Sequence, residues 1–578
     1  MSTSDWIPCA GCSCPNHHFP SPNTFSENSS STAIDLTRLM RSNDQPSPAE
    51  ADAIRGMISQ HEEHIATTDL RIAALGDFRQ DMVNLISKAD EMIATLRGER
   101  ARVLVEIQEK KGLLSAVRRL PSEVLFQIFR KTIEFPIKYA QSDRDALWWD
   151  FTPAQSSLWI IELVSRHWRT VALTFPELWS YLNIFITGHD FAEGEYRLIR
   201  RLGLQLARSQ HSPLSLSICE NSNYKKLPSS LELLLYSVST RLREFHLCMT
   251  AGMLSAIPSL KLSLPSLEFL SILCTNSRNI SQYSRLQLAC NAPKLRTLSF
   301  TDVESPAGSF AIPWAQITHC NISHAYHSKK NPGPDPNRFL RVLKLMKNLT
   351  SCDLVCEAYS MGELEAERVA CTKLQDFTLT SWPCYRDTIP QFFSRLLLPS
   401  LSTFKAKCSM GSIMPNHEDS FRSIRHAINV SQSPLTTLEF KNGLIAEEDL
   451  LSILRTTPTL EFLKLVDVGP HAITDQTLDE LMVRPNEDFI MPRLSSLHFS
   501  AEVEFTSYKF VAMVESRQKD MLGVDHLKSV NICWVTDEDD LNENEASGVT
   551  ILSALDTYRL DGLEFILTMQ KKPARQRR

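Results

Sequence analysis

The residues best suited to chemistry stand in three places. In "CAGCSCPNHH", Cys9, Cys12 and Cys14 lie close to His17 and His18, thiols and imidazoles of the kinds that bind zinc. No second Cys/His pair follows at the dozen-residue spacing of a folded zinc module, so no metal or cofactor is assigned. "HEEH", His61 to His64, lacks the i, i+4 histidine spacing of a zinc-protease helix. Cys384 in "SWPCYRD" is a lone candidate nucleophile; nothing specifies a histidine partner, and a packed thiol fits it better. No phosphate-binding glycine loop, dinucleotide turn or nucleophile elbow is present. With 67 acidic residues in 578, some carboxylates will meet in any fold, so pairing alone identifies no acid/base site. The expectation is a chain that binds and does not catalyse.

Composition narrows what it binds. A hydrophobic content of 43% and a charged content of 22% are those of a globular protein. A net charge of -6 over this length makes no field for nucleic acid. The basic tail "KKPARQRR", Lys571 to Arg578, reads as a solvated end. No run approaches ~20 apolar residues and the first residues lack a secretory pattern, which predicts an intracellular protein, cytoplasmic or nuclear, without a membrane contact. The 14 cysteines are scattered; Cys219, Cys248 and Cys352 sit at apolar strand positions and read as small buried thiols.

These residues must be carried by more than one structural unit, because 578 residues exceed one ordinary core. Residues 1–48, rich in Ser, Asn and Pro, are predicted to be disordered. Residues 49–115 form a heptad helix: from Ile54 to Leu114, alternate steps of four and three fall mostly on apolar residues. His61, Arg79, Arg100 and Lys110 interrupt the seam, and Gly56, Gly76 and Gly98 weaken it. The helix therefore either self-associates through residues 51–115 or folds back on another part of the chain. Residues 116–182 are a small helical domain. Pro121, Val124, Leu125, Ile128 and Phe129 make one broad stripe; after a polar insertion, Leu158, Ile161, Val164, Trp168 and Val171 repeat at helical spacing. Phe175 to Trp179 closes the domain.

Leu120-Pro121-x-Glu123-Val124-Leu125-x-x-Ile128-Phe129, followed by Leu163-Val164-Ser165-x-x-Trp168-Arg169-x-x-Ala172, resembles the F-box motif. Residues 35–182 as a whole resemble F-box proteins of mushroom-forming fungi. The insertion between the halves is long, and Ser165 stands where the family often has cysteine. The resemblance implies docking on a Skp-family adaptor and through it on a cullin, with Leu120, Pro121, Val124, Leu125, Ile128, Phe129, Leu163, Val164 and Trp168 in the contact.

Residues 183–568 repeat one unit, in which a leucine is followed by apolar residues at the third and fifth places after it, as in "PSLEFLSI", "PTLEFLKL" and "PRLSSLHF". Its first apolar residues are Leu214, Leu242, Leu267, Leu295, Ile317, Leu349, Leu374, Leu401, Leu435, Leu460, Leu494 and Leu527. Such spacing predicts one short strand per unit and an irregular leucine-rich-repeat solenoid of parallel strands with helices and loops. The regular asparagine ladder is mostly missing. The acidic run Thr536 to Ser547 is expected to be a solvated loop, "DGLEFIL" a terminal strand, and 569–578 a basic tail.

The fold class expected is thus α followed by α/β. The function expected from the resemblance is that of a substrate receptor in a ubiquitin ligase: the chain positions an unidentified client and other subunits supply the chemistry, since no RING-type ligand spacing is visible here. The alternative is a scaffold that binds partners through the coiled coil and repeats without a ligase.

Overall fold

A computed structural model of the chain describes residues 6–8, 18–20, 36–42, 44–132, 138–140, 147–149, 157–186, 190–220, 228–256, 262–275, 291–303, 306–323, 336–356, 367–381, 388–408, 417–442, 445–469, 472–485, 489–501, 505–536 and 541–571. It divides into two compact units, Met1–Leu120 and Pro121–Arg578.

The first unit is dominated by one helix. After the short α1 (Leu36–Arg41), α2 runs unbroken from Pro48 to Leu113, 66 residues, or roughly 100 Å at 1.5 Å per residue. Its start is written locally. The Ser47 hydroxyl accepts from the Glu50 amide while the Glu50 carboxylate accepts from the Ser47 amide at 2.8 Å, and Pro48 follows at the first helical position. Lys110 and Lys111 occupy the last turn, where they complement its free carbonyls. No residue of α2 is buried: Ile58, Ile65, Ile72, Ile86 and Leu96 are all exposed. Residues 1–48, expected to lack fixed structure, hold α1 and an antiparallel pair, Trp6–Pro8 with His18–Pro20. Cys9, Cys12, Cys14 and His17 lie outside the described residues, as does Cys384.

In the second unit, fourteen strands among the described residues form one sheet in strict chain order, from Tyr181–Ile186 at one edge to Glu564–Lys571 at the other. All neighbours are parallel. Each strand therefore packs only against its predecessor and successor, and helices or loops return the chain to the same side, a solenoid-like arrangement. All twelve repeat residues named above are buried, and each lies at the start of a strand or two residues before one. The apolar residues that follow them point into one continuous core, in which Phe377, Phe393, Phe404, Phe440 and Phe421 lie ring against ring.

A different ladder stands where asparagines are missing. The residue just after each repeat leucine donates its amide to the carbonyl one unit earlier: Thr350 to Thr318, Gln375 to Thr350, Ser402 to Gln375, Thr436 to Ser402 and Glu461 to Thr436, at 2.8–2.9 Å. Hydroxyls double several rungs, Thr350 on Thr318 at 2.9 Å and Ser402 on Gln375 at 3.1 Å. At these rungs the backbone satisfies itself between units without a side-chain amide.

Two expectations need correction. The acidic run is not a loop throughout, since residues from Leu541 onward open the helix Leu541–Leu560. The second helix of the small domain is also not continuous, as described below. Cys219, Cys248, Cys274, Cys320, Cys352 and Cys371 are buried thiols, and burial pushes the Cys371 thiol up to about 12.

Candidate docking site

The helices that precede the sheet are held by their own small core. In α3 (Ser122–Thr132) the Pro121 carbonyl accepts from the amides of Val124 and Leu125 at 3.1 and 3.0 Å, closing the first turn. Leu125 and Phe129, four apart, are buried, whereas Val124 and Ile128, also four apart, keep 42% and 41% of their surface. The helix is thus apolar over two adjacent faces, and only one is used internally.

The segment 157–174 is two helices, α4 (Ser157–Val164) and α5 (Arg166–Thr174). The break falls at Ser165, whose hydroxyl accepts from the Trp168 amide at 3.1 Å and caps α5. Periodicity alone runs through this break, because Leu158, Ile161, Trp168 and Val171 keep an approximate helical phase across it. On α4, Leu158 and Ile161 face inward, while Ile160, Leu163 and Val164 are exposed at 52%, 82% and 56%. α3, α4 and α5 pack against one another, with the Phe129 ring 5.0 Å from Trp168 and Phe126 stacked on Phe175 at 4.4 Å.

The residues singled out from the sequence therefore separate into two groups. Leu125 and Phe129 are core, and Trp168 is half-buried against Phe129. Pro121, Val124, Ile128, Leu163 and Val164 face outward. Leu120 closes the first unit and is half-buried. Sequence reading missed Ile160, which shares the outer side of α4 with Leu163 and Val164; its signal was the i, i+3, i+4 spacing of these three residues.

This helical part is wired to the sheet. The chain passes from the turn Pro176–Trp179 straight into the strand Tyr181–Ile186. Trp179 is fully buried and donates its indole N–H to the Ala172 carbonyl at 2.7 Å. Arg208, on α6 (Asp190–Ser209), lies over the rings of Trp179 and Trp159 at 4.2 and 4.9 Å and donates to Glu162 of α4 at 3.2 Å. Gln205 of α6 donates to the Tyr181 carbonyl.

The exposed side chains are aliphatic and offer a partner burial, not bond chemistry. Among the described residues, no group of three or more His, Cys, Asp or Glu could hold a metal, and no helix is long and apolar enough to cross a membrane. Neither the models of known protein families nor the curated proteins contain a match to this chain.

Proposed function

We propose that the chain is an F-box-type substrate receptor. In this reading Val124, Ile128, Leu163 and Val164 dock on a Skp-family adaptor, which brings a cullin ubiquitin ligase, and the sheet, as an irregular leucine-rich-repeat solenoid, binds the client. One observation carries it: α3 and α4 satisfy their own core with Leu125, Phe129, Leu158 and Ile161 and still expose these aliphatic side chains. A folded helical unit that does not need such residues for itself has them available for a partner. The seat of Arg208 supports the reading, since a receptor must hold client and ligase in a fixed relation, and this residue joins the docking helices to the sheet. The chemistry belongs to other subunits, and the protein works inside the cell.

The test is recovery from host extract on the full-length protein beside a Val124→Asp, Leu163→Asp variant with an unchanged circular dichroism spectrum. The native chain is expected to bring down a Skp-family adaptor and a cullin, and the variant neither. A folded native chain that recovers neither, or a variant that recovers both, overturns the proposal and leaves a scaffold without a ligase.

A further inference from the structure

The long helix α2 leaves most of an apolar seam open: Ile58, Ile65, Ile72, Leu75, Ile86, Ile93, Leu96, Val103 and Ile107 are all exposed. Its inward positions alternate between two sets. One set is Ile58, Ile65, Ile72, Arg79, Ile86, Ile93, Arg100 and Ile107; the other contains Thr68, Leu75, Met82, Ala89, Leu96 and Val103. In a parallel pair each set meets only itself. Arg79 would then face Arg79 of the other copy, Arg100 would face Arg100, and Lys110 would face Lys110, like charges brought together within the seam. In an antiparallel pair the first set meets the second. The two arginines are 21 residues apart, and so are the seam's two small residues of the second set, Thr68 and Ala89. One antiparallel register matches both at once: Arg79 lies against Ala89 of the second copy and Arg100 against Thr68. Each long side chain meets a small one and has room to carry its guanidinium to the edge.

The same register pairs Ile65 with Val103, Ile72 with Leu96 and Ile93 with Leu75. It also sets Asp69 beside Arg97 and Arg71 beside Glu99 at the flanks. The charge of the two halves agrees. Residues 50–83 carry seven acids against three arginines, and residues 85–114 five acids against six Lys and Arg; antiparallel pairing opposes the acidic half to the slightly basic one, while parallel pairing opposes acid to acid.

We infer that α2 joins two copies of this chain as an antiparallel coiled coil with its two-fold axis at Asn84. The Leu114 ends of the two helices then lie roughly 90 Å apart along the pair, at 1.5 Å per residue, so that the chain leaves the coiled coil at opposite ends.

Two measurements on the full-length chain decide this. Sedimentation equilibrium should give twice the 65.6 kDa of one chain. Under mild oxidation, an equimolar mixture of Ile65→Cys and Val103→Cys chains should form a disulfide-linked dimer beyond that of the native chain, and neither variant should do so alone. A complementary swap guards against misfolding. Ala89→Arg should lower dimer affinity at least tenfold, and adding Arg79→Ala to it should restore pairing. A monomer, a higher oligomer, or cross-linking of Ile65→Cys with itself overturns the inference.

Discussion

The guanidinium of Arg208 stands 4.2 Å from the ring centroid of Trp179, and the two residues belong to different parts of the second unit: Trp179 closes the helical part, and Arg208 sits near the end of the helix returning to the second strand. Glu162 completes the contact at 3.2 Å, with side-chain exposures of 19% for the arginine and 9% for the glutamate. Breaking such a pair from one side leaves a charge with little water, at a cost of about 3 kcal/mol or more. Arg208→Leu is expected to cost that much in urea unfolding. Arg208→Leu with Glu162→Leu should cost clearly less, since no charge is stranded. Equal losses in both would show that the ion pair is not what holds the joint.

Burial separates the two adjacent faces of α3 in a way that stability measurements can read. Leu125→Ala and Phe129→Ala each empty a fully buried site and are expected to lower stability by roughly 2–5 kcal/mol. Val124→Asp and Ile128→Asp change half-exposed positions and should move unfolding by no more than about 1 kcal/mol. A thermal scan of the four variants checks the ordering, and a reversal would mean that the outer face is covered by the chain itself.

Arg517 is fully buried, and its guanidinium donates to the carbonyls of Leu481, Met491 and Ile490 at 2.7, 3.1 and 2.8 Å. Burial pushes it down to about 10, but it remains charged at neutral pH and pins the loop between two sheet units. Arg517→Met fills similar space and strands three carbonyls, with an expected loss of about 3 kcal/mol. Arg517→Lys should rescue only part, because an ammonium lacks the planar fork. Hydrogen exchange is expected to rise first at residues 481–494.

Glu244 gives the fold an acid limit. The His246 imidazole, 3.9 Å away, together with the Ser215 hydroxyl and outweighing partial burial, pulls its carboxyl down to about 2 from an ordinary 4.5. A depressed folded value means that the ionised form stabilises the fold. The contribution is complete above about 4.5 and disappears as pH falls toward about 2. Glu244→Gln should be less stable than the native chain at neutral pH, with the two unfolding curves converging across that window. A constant gap from pH 5 to 2 would refute the linkage.

Much of the architecture was legible in the sequence because it rests on local periodicity. Heptad spacing over residues 49–115 located α2 (Pro48–Leu113) to within a residue or two at each end. The leucine spacing located the strands, since a side chain two residues along a strand returns to the same face regardless of what surrounds it. The choice between the two apolar faces of α3 was not legible. Val124 and Leu125 are alike as residue types, and only the arrival of Trp168 and Phe175 from some forty residues later decides which is covered. The break at Ser165 was hidden because a capping serine does not disturb the apolar period around it. Arg208 and Arg517 carried no sequence signal either: their roles come from rings and carbonyls brought together by chain segments distant in sequence. Local spacing determined the elements, and tertiary contact decided which side chains they spend on themselves and which remain for a partner.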